Sequence, residues 1–159
     1  MFLAHLLLLA FGIGFLSGLR SMMPLAVTAW CGYVRNLALY RTPLAFLASV
    51  PAVAILTLGA LAELVVDKLP KTPARTAAPG LTTRFLTGGL CGAALVLAHM
   101  PGSWIYGAVL GAIGGVVGAF AGYQARAGLV RVLGVPDFVI AFAEDAFTLA
   151  ASIFVVTHA

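Results

Sequence analysis

The chain has 159 residues, of which 62% are hydrophobic and only 9% are charged, and its formal net charge is +4 at pH 7. A soluble domain carries about 25% charged residues because its surface must be wetted, so this composition excludes most soluble enzymes and nucleic-acid-binding modules. The apolar residues are spread from end to end, which predicts one integral-membrane domain, residues 1–159. Because the basic residues are scattered between apolar stretches, we attribute the positive charge to membrane orientation and expect no nucleic-acid partner.

Helical membrane spans of about 20 residues fit the apolar stretches, whereas no segment alternates polar and apolar residues as a barrel strand does. The sequence therefore predicts an all-α, polytopic bundle of about five spans: residues 2–31, 43–66, 83–99, 104–125 and 136–156. The first span is long for one crossing and is interrupted by Arg20 and Pro24, so it is either one bent helix or two half-helices.

Basic residues are divided unevenly between the two ends of this five-span bundle. Arg35 and Arg41 fall at one end. The other end collects Lys68, Lys71, Arg75, Arg84, Arg126 and Arg131. Because basic residues favour the cytoplasmic side, we expect a multi-pass protein of the cell inner membrane, with a cytoplasmic N-terminus and a C-terminus outside.

Glycines recur at spacings of three and four residues, which places them on single helix faces. They are Gly14 and Gly18 in the first span, Gly88 and Gly92 in the third, and Gly107, Gly111, Gly115, Gly118 and Gly122 in the fourth. A glycine face lets another helix approach closely. Such faces serve either tight packing within one subunit or the interface of a homo-oligomer, and both interpretations stay open here.

Two of these glycine faces end in an arginine. Residues 14–20 end in Arg20 and residues 118–126 end in Arg126, each late in its own span. One span separates the first helix pair from the last, so the pattern suggests an inverted two-helix repeat around a central third span. A match of so few residues also arises by coincidence.

Four of the five acidic residues fall inside or at the edge of predicted spans: Glu63, Asp67, Glu144 and Asp145. A carboxylate at the bilayer centre costs about 2.5 to 3.5 kcal/mol, so such residues normally face a partner or a water-filled cavity. Glu63 and Asp67 share one helix face. In the fifth span, Glu144 begins a polar stripe that continues through Thr148 and Ser152.

We expect these four carboxylates to lie at one depth near the cytoplasmic face, with Arg126 as a counter-charge. Two carboxylates on one face repel each other, which favours a shared proton or a hard cation, so the same four residues are candidate metal ligands. An ion-pair network that only holds helices together explains the pattern equally. Arg20 is predicted to lie apart from them, toward the outer face, as a gate or anion contact or as a side chain that reaches the interface.

No nucleophile elbow, phosphate-binding loop, zinc motif or paired-histidine motif occurs in the chain. We therefore expect no enzymatic activity and no cofactor. The intramembrane charges favour a transporter or channel-like protein that binds or moves a small ion or polar solute, surrounded by membrane lipids. The alternative is a structural or lipid-interacting membrane protein without transport activity.

Two short motifs carry a resemblance. Gly18-Leu19-Arg20 is followed by Pro24, and Glu63-Leu64-Val65-Val66-Asp67-Lys68-Leu69-Pro70 is followed by a proline-containing connection to Pro79. In these features the sequence resembles a family of small bacterial integral-membrane proteins catalogued as domain of unknown function 4126. The resemblance implies an all-helical inner-membrane protein with these residues in a shared polar site, and it implies no particular activity.

Overall fold

A computed structural model describes residues 1–67 and 76–159 of the chain. Helices dominate this part: α1 Phe2–Leu19, α2 Met22–Tyr33, α3 Val50–Val66, α4 Ala78–His99, α5 Trp104–Leu133 and α6 Asp137–Thr157. Short 3-10 turns at Leu39–Arg41, Ala45–Ala48 and Pro101–Ser103 lie in the connections, and these described residues contain no strand. The predicted all-α helical bundle is confirmed.

The helices have the length and the surface of a membrane bundle. Four segments are long and apolar enough to cross a membrane, namely α1, α4, α6 and Pro101–Leu133, and α3 is a shorter apolar helix. Large apolar side chains such as Leu58 and Phe142 are exposed, whereas Arg20 and Asp145 are buried. An apolar outside around charged groups is the reverse of a soluble domain and is typical of a helical membrane protein.

The predicted first span consists of two helices, and the break falls at Arg20 and Ser21. Arg20 has an extended backbone, with φ −136° and ψ 113°, which ends α1. Helix α2 then turns back beside α1, because Cys31 near the end of α2 packs in one buried cluster with Ile13 of α1 and with Cys91 and Leu95 of α4. Of the two alternatives for this span, separate helices are therefore found.

The other predicted boundaries shift for local reasons. Helix α3 begins only at Val50, where the hydroxyl of Ser49 accepts a hydrogen bond from the backbone N–H of Ala52 at 3.3 Å. Helix α5 continues to Leu133 instead of ending at residue 125, and it stops at Gly134, whose φ of 62° is favourable for glycine. The predicted loop arginines at positions 126 and 131 are therefore helical.

Helices α1, α4 and α5 pack backbone to backbone through their glycines. A Cβ atom on Gly14 would clash with the carbonyl oxygen of Gly111, and a Cβ on Gly111 would clash with that of Gly88. A Cβ on Gly18 would clash with the carbonyl oxygen of Gly115. These glycines serve packing within one chain.

The same contacts show the direction of α5. Gly14 meets Gly111 and Gly18 meets Gly115, so α1 and α5 run in the same direction. The suggested inverted repeat needs these two helices to run in opposite directions, and they do not. The similar glycine spacing in residues 14–20 and 118–126 therefore reflects the packing of α1 against α5, and it does not indicate an inverted repeat.

Both ends of the chain lie at one end of the bundle. Ala159 packs against the buried cluster of Leu6, Ala10 and Val96, and the ring of Phe2 contacts that of His99 at the end of α4. The five-span prediction, which places the termini at opposite ends, is therefore wrong on this point. The reason is that its first span is a pair of antiparallel helices, which adds one reversal of direction.

Candidate functional site

The side chain of Arg20 is fully buried where α1 ends and α2 begins. Its Nη1 contacts Oδ2 of Asp67, its Nε lies 2.6 Å from Oδ1 of Asp145, and its Nη2 lies 4.0 Å from Oε2 of Glu144. Asp67 follows the last turn of α3, and the other two carboxylates belong to α6. A buried guanidinium needs such partners because its desolvation costs several kcal/mol. We call these four residues the Arg20 centre.

The carboxylate of Glu63 binds the first residues of α2. Oε1 of Glu63 accepts hydrogen bonds from the backbone N–H and the hydroxyl of Ser21, at 2.8 and 2.6 Å, and Oε2 accepts from the N–H of Met22 at 2.9 Å. The first N–H groups of a helix have no partner within it and attract negative charge. Glu63 on α3 therefore caps α2 from outside.

Arg84 holds the end of α1 in a corresponding way. Its Nε donates to the carbonyl oxygen of Gly18 at 3.0 Å, and its Nη1 donates to that of Gly80 at 3.1 Å. Its Nη2 lies 3.9 Å from Oε1 of Glu63. A cation near the last carbonyls of a helix is favourable, so Glu63 and Arg84 together hold both sides of the break. We call this pair the break clamp.

Arg126 on α5 extends the charged cluster toward the surface. Its Nε and Nη2 form a two-bond pair with Asp137, at 2.7 and 2.5 Å, and its Nη1 lies 3.7 Å from Oε2 of Glu144. Glu144 therefore lies between the guanidiniums of Arg126 and Arg20. All five acidic residues of the chain thus contact arginines in this one region.

The structure brings the predicted site residues into one cluster: Glu63, Asp67, Glu144, Asp145, Arg126 and Arg20. The prediction that Arg20 lies apart from the carboxylates is wrong, because the break at Arg20 puts its side chain among them. Lys68, Lys71 and Arg75, which the sequence assigned to the same end of the bundle, lie outside the described residues.

The sequence interpretation missed three contributors to the cluster: Ser21, Arg84 and Asp137. Arg84 could have been found, because Gly88 and Gly92 follow it at four-residue spacings and place it on the glycine face that packs against α1. Ser21 donates from its hydroxyl and from its backbone, and no pattern around it predicts the helix break.

The metal-ligand prediction gains no support from the geometry. Within residues 1–67 and 76–159, no group of three or more histidine, cysteine, aspartate and glutamate side chains is arranged to hold a metal ion. Arginine groups contact the carboxylates that were the candidate ligands. The cluster is therefore built from ion pairs between arginines and carboxylates.

A family model described as Domain of unknown function (DUF4126) matches residues 7–159 of the chain. The protein belongs to the DUF4126 family. The two motifs that carried the resemblance meet in this DUF4126 member, since Arg20 contacts Asp67 and the residue after Arg20 donates to Glu63. No curated protein and no solved structure matches the chain.

Proposed function

We propose that the protein binds and moves a small ion or polar solute at the Arg20 centre, as a transporter or channel-like protein and not as an enzyme. The observation that carries this proposal is the complete burial of Arg20 at a helix break, beside carboxylates of α3 and α6. Ionisable groups within membrane helices are rare and mark ion or solute paths. Helices that are interrupted within the bundle commonly line such sites in transporters.

Glu144 is the carboxylate best placed to respond to a ligand. Its Oε2 lies 4.0 Å from Nη2 of Arg20 and 3.7 Å from Nη1 of Arg126, so it faces both guanidiniums. A proton or cation bound by Glu144, or an anion bound between the two guanidiniums, would change the electrostatic environment of both arginines. Glu63, by contrast, is committed to the backbone of α2.

We further propose that the charged end of the bundle faces the cytoplasm and that the protein lies in the cell inner membrane. The connection between α3 and α4 contains Lys68, Lys71 and Arg75, and Arg84, Arg126 and Arg131 belong to the same end. Arg35 and Arg41 belong to the other end. Both termini lie at the end that carries only Arg35 and Arg41. By the positive-inside rule we therefore expect both termini to be outside the cytoplasm.

A second candidate is a structural or lipid-interacting membrane protein. The break clamp favours it, because Glu63 and Arg84 satisfy backbone groups at the helix ends and need no ligand to do so. In that case the remaining ion pairs also serve only to hold α3, α5 and α6 around the break. The two candidates make opposite predictions for a ligand-binding experiment.

Thermal unfolding of the purified protein tests the proposal, with sodium, potassium, magnesium, chloride and phosphate added singly at several pH values. We expect one of these conditions to raise the Tm of the wild type, because a ligand at 100 times its Kd stabilises the folded state by about 2.7 kcal/mol. Glu144→Gln should abolish this rise. Thr157→Val is the matched control, since Thr157 is an exposed residue at the other end of the same helix, and it should keep the rise.

If no condition shifts the wild type and Glu144→Gln only lowers its Tm, the structural function is favoured. A condition that stabilises the wild type is then used for flux measurements in proteoliposomes. Flux that is equal with Glu144→Gln and with wild type would contradict the assignment of the site.

A further inference from the structure

Buried hydroxyl and thiol groups continue from the Arg20 centre into the bundle. Ser17 lies one turn from Arg20 in α1, and Thr148 lies one turn from Asp145 in α6. One turn further from the charges are Thr28, Cys91 and Ser152. Helix rise places these groups about 5 to 10 Å along their helices from residues at the break or in the charged cluster, which are Arg20, Ser21, Arg84 and Asp145. All five side chains are fully buried, and we call them the hydroxyl layer.

Contacts join the layer across helices. Cys91 on α4 packs in one buried cluster with Ile13 and Leu16 of α1, Val27 and Cys31 of α2, and Val156 of α6. Helix α6, which carries Thr148 and Ser152, packs against both α1 and α2. Residues separated by three or seven positions share a helix face. Each member of the layer is separated in this way from a residue at the break or in the charged cluster, which is Arg20, Ser21, Arg84 or Asp145.

The hydroxyl layer has more hydrogen-bond acceptors than hydrogen atoms available to donate to them. Ser17 donates to the carbonyl oxygen of Ile13 at 3.0 Å, Thr28 to that of Pro24 at 2.8 Å, and Ser152 to that of Thr148 at 2.6 Å. Each donation leaves a hydroxyl oxygen that can still accept. The Cys91 thiol has a single hydrogen. The oxygen acceptors therefore outnumber the donors that remain.

The hydroxyl of Thr148 supplies an independent sign of a ligand. It is buried and has no hydrogen-bond partner among the residues that the structure describes. A buried hydroxyl without a partner is costly, and ordered water is a common partner of such groups. Water brings two donors and two acceptors, which fits both the free Thr148 hydroxyl and the excess of acceptor oxygens.

We propose that the hydroxyl layer binds ordered water, and that this water extends the path of the small ion from the Arg20 centre into the bundle. The water site stands on the hydrogen-bond pattern alone. Its part in an ion path rests on the proposed function. Water bound in this layer would contact Cys91, so a small aqueous cation could reach its thiol.

Silver ion is a small aqueous probe that binds thiols, so it tests whether water reaches Cys91. The protein carries Cys31→Ala, which leaves Cys91 as its only thiol, and is reconstituted in vesicles in nitrate salts. After exposure to silver, the remaining thiol is labelled with a fluorescent maleimide in SDS. We expect silver to protect Cys91, and Thr148→Val to slow the protection about tenfold, as expected for loss of one buried hydrogen bond. Thr148→Ser, which keeps the hydroxyl, should restore the rate.

Thr157→Val is the matched control, because Thr157 is an exposed hydroxyl residue of the same helix, and it should leave the rate unchanged. A Cys91 that silver does not protect, or protection at equal rates in Thr148→Val and wild type, overturns the water site. Ion flux measured with the same variants separates the two proposals. Flux that depends on Glu144 but not on Thr148 keeps the proposed function and overturns the water path. Protection that depends on Thr148 without any flux keeps the water site and overturns the proposed function.

Discussion

The Nε atom of Arg20 lies 2.6 Å from Oδ1 of Asp145, which ties the break after α1 to the middle of α6. The same guanidinium contacts Asp67 at the end of α3. One buried side chain therefore links the break to two other helices. Its removal is expected to affect stability as well as any bound ligand, so the two effects must be measured separately.

Arg20→Met should strongly destabilise the protein. Removing one partner of a buried ion pair costs about 3 to 5 kcal/mol, because the other charge is left without compensation. We expect a large fall in Tm in detergent, and a smaller fall with Arg20→Lys, which keeps the charge but cannot contact Asp67 and Asp145 together. The double variant Arg20→Met with Asp145→Asn should recover part of the loss. Additive losses in the double variant would contradict the direct coupling of these residues.

Glu63→Gln should lower the stability without any ligand present. The substitution replaces a charged acceptor of two backbone N–H groups by a neutral amide, and hydrogen bonds to charged groups contribute about 1.5 to 3 kcal/mol. The measurement is the Tm and the unfolding free energy in detergent. Asp137→Asn is the comparison, because the side chain of Asp137 is 61% exposed and exposed pairs contribute about 0 to 1 kcal/mol. Equal effects of the two substitutions would argue against the capping role of Glu63.

Gly111→Ala should prevent close packing of α4 and α5. The added Cβ would clash with the carbonyl oxygen of Gly88, and a backbone atom cannot move aside as a flexible side chain can. Gly128→Ala is the matched control in the same helix, because a Cβ there meets nothing within 4 Å. In α5, Gly128→Ala should be neutral or should stabilise the helix by up to about 1 kcal/mol. Thermal unfolding of both variants checks this prediction, and equal Tm values would exclude the glycine contact as the cause.

Reporters fused to the chain should find both termini on one side of the membrane. The expectation follows from the packing of Ala159 against Leu6, Ala10 and Val96 near the N-terminus. We expect a reporter that is active only outside the cytoplasm to work at either terminus and to fail within residues 68–75. Activity at one terminus alone would support the five-span arrangement and would contradict the direction of α2.

Much of the candidate site could be predicted from charge and spacing. A carboxylate is costly among membrane helices, so Glu63, Asp67, Glu144 and Asp145 were selected without any knowledge of the fold. The glycine faces were evident for a similar reason, since residues three and four apart share a helix face. Both arguments use only local geometry and the cost of desolvation.

Arg20 could not be placed by the same reasoning. Counting helix rise from Met1 put it far from the carboxylates, because the count assumed one continuous span. Its extended backbone is stabilised by contacts that are distant in sequence, in which Glu63 accepts from Ser21 and Met22, and Arg84 donates to Gly18. Nothing in residues 18–24 alone encodes these partners.

The sequence by itself determined that the chain forms apolar helices, which helix faces carry glycine, and which charges must find partners away from lipid. These properties depend on composition and on the periodicity of one helix. Only the tertiary structure decided that the chain reverses at Arg20, that α1 and α5 run in the same direction, and that both termini lie at one end. Those outcomes depend on the backbone angles at a single residue, and contacts between α1, α2, α3 and α4 stabilise them.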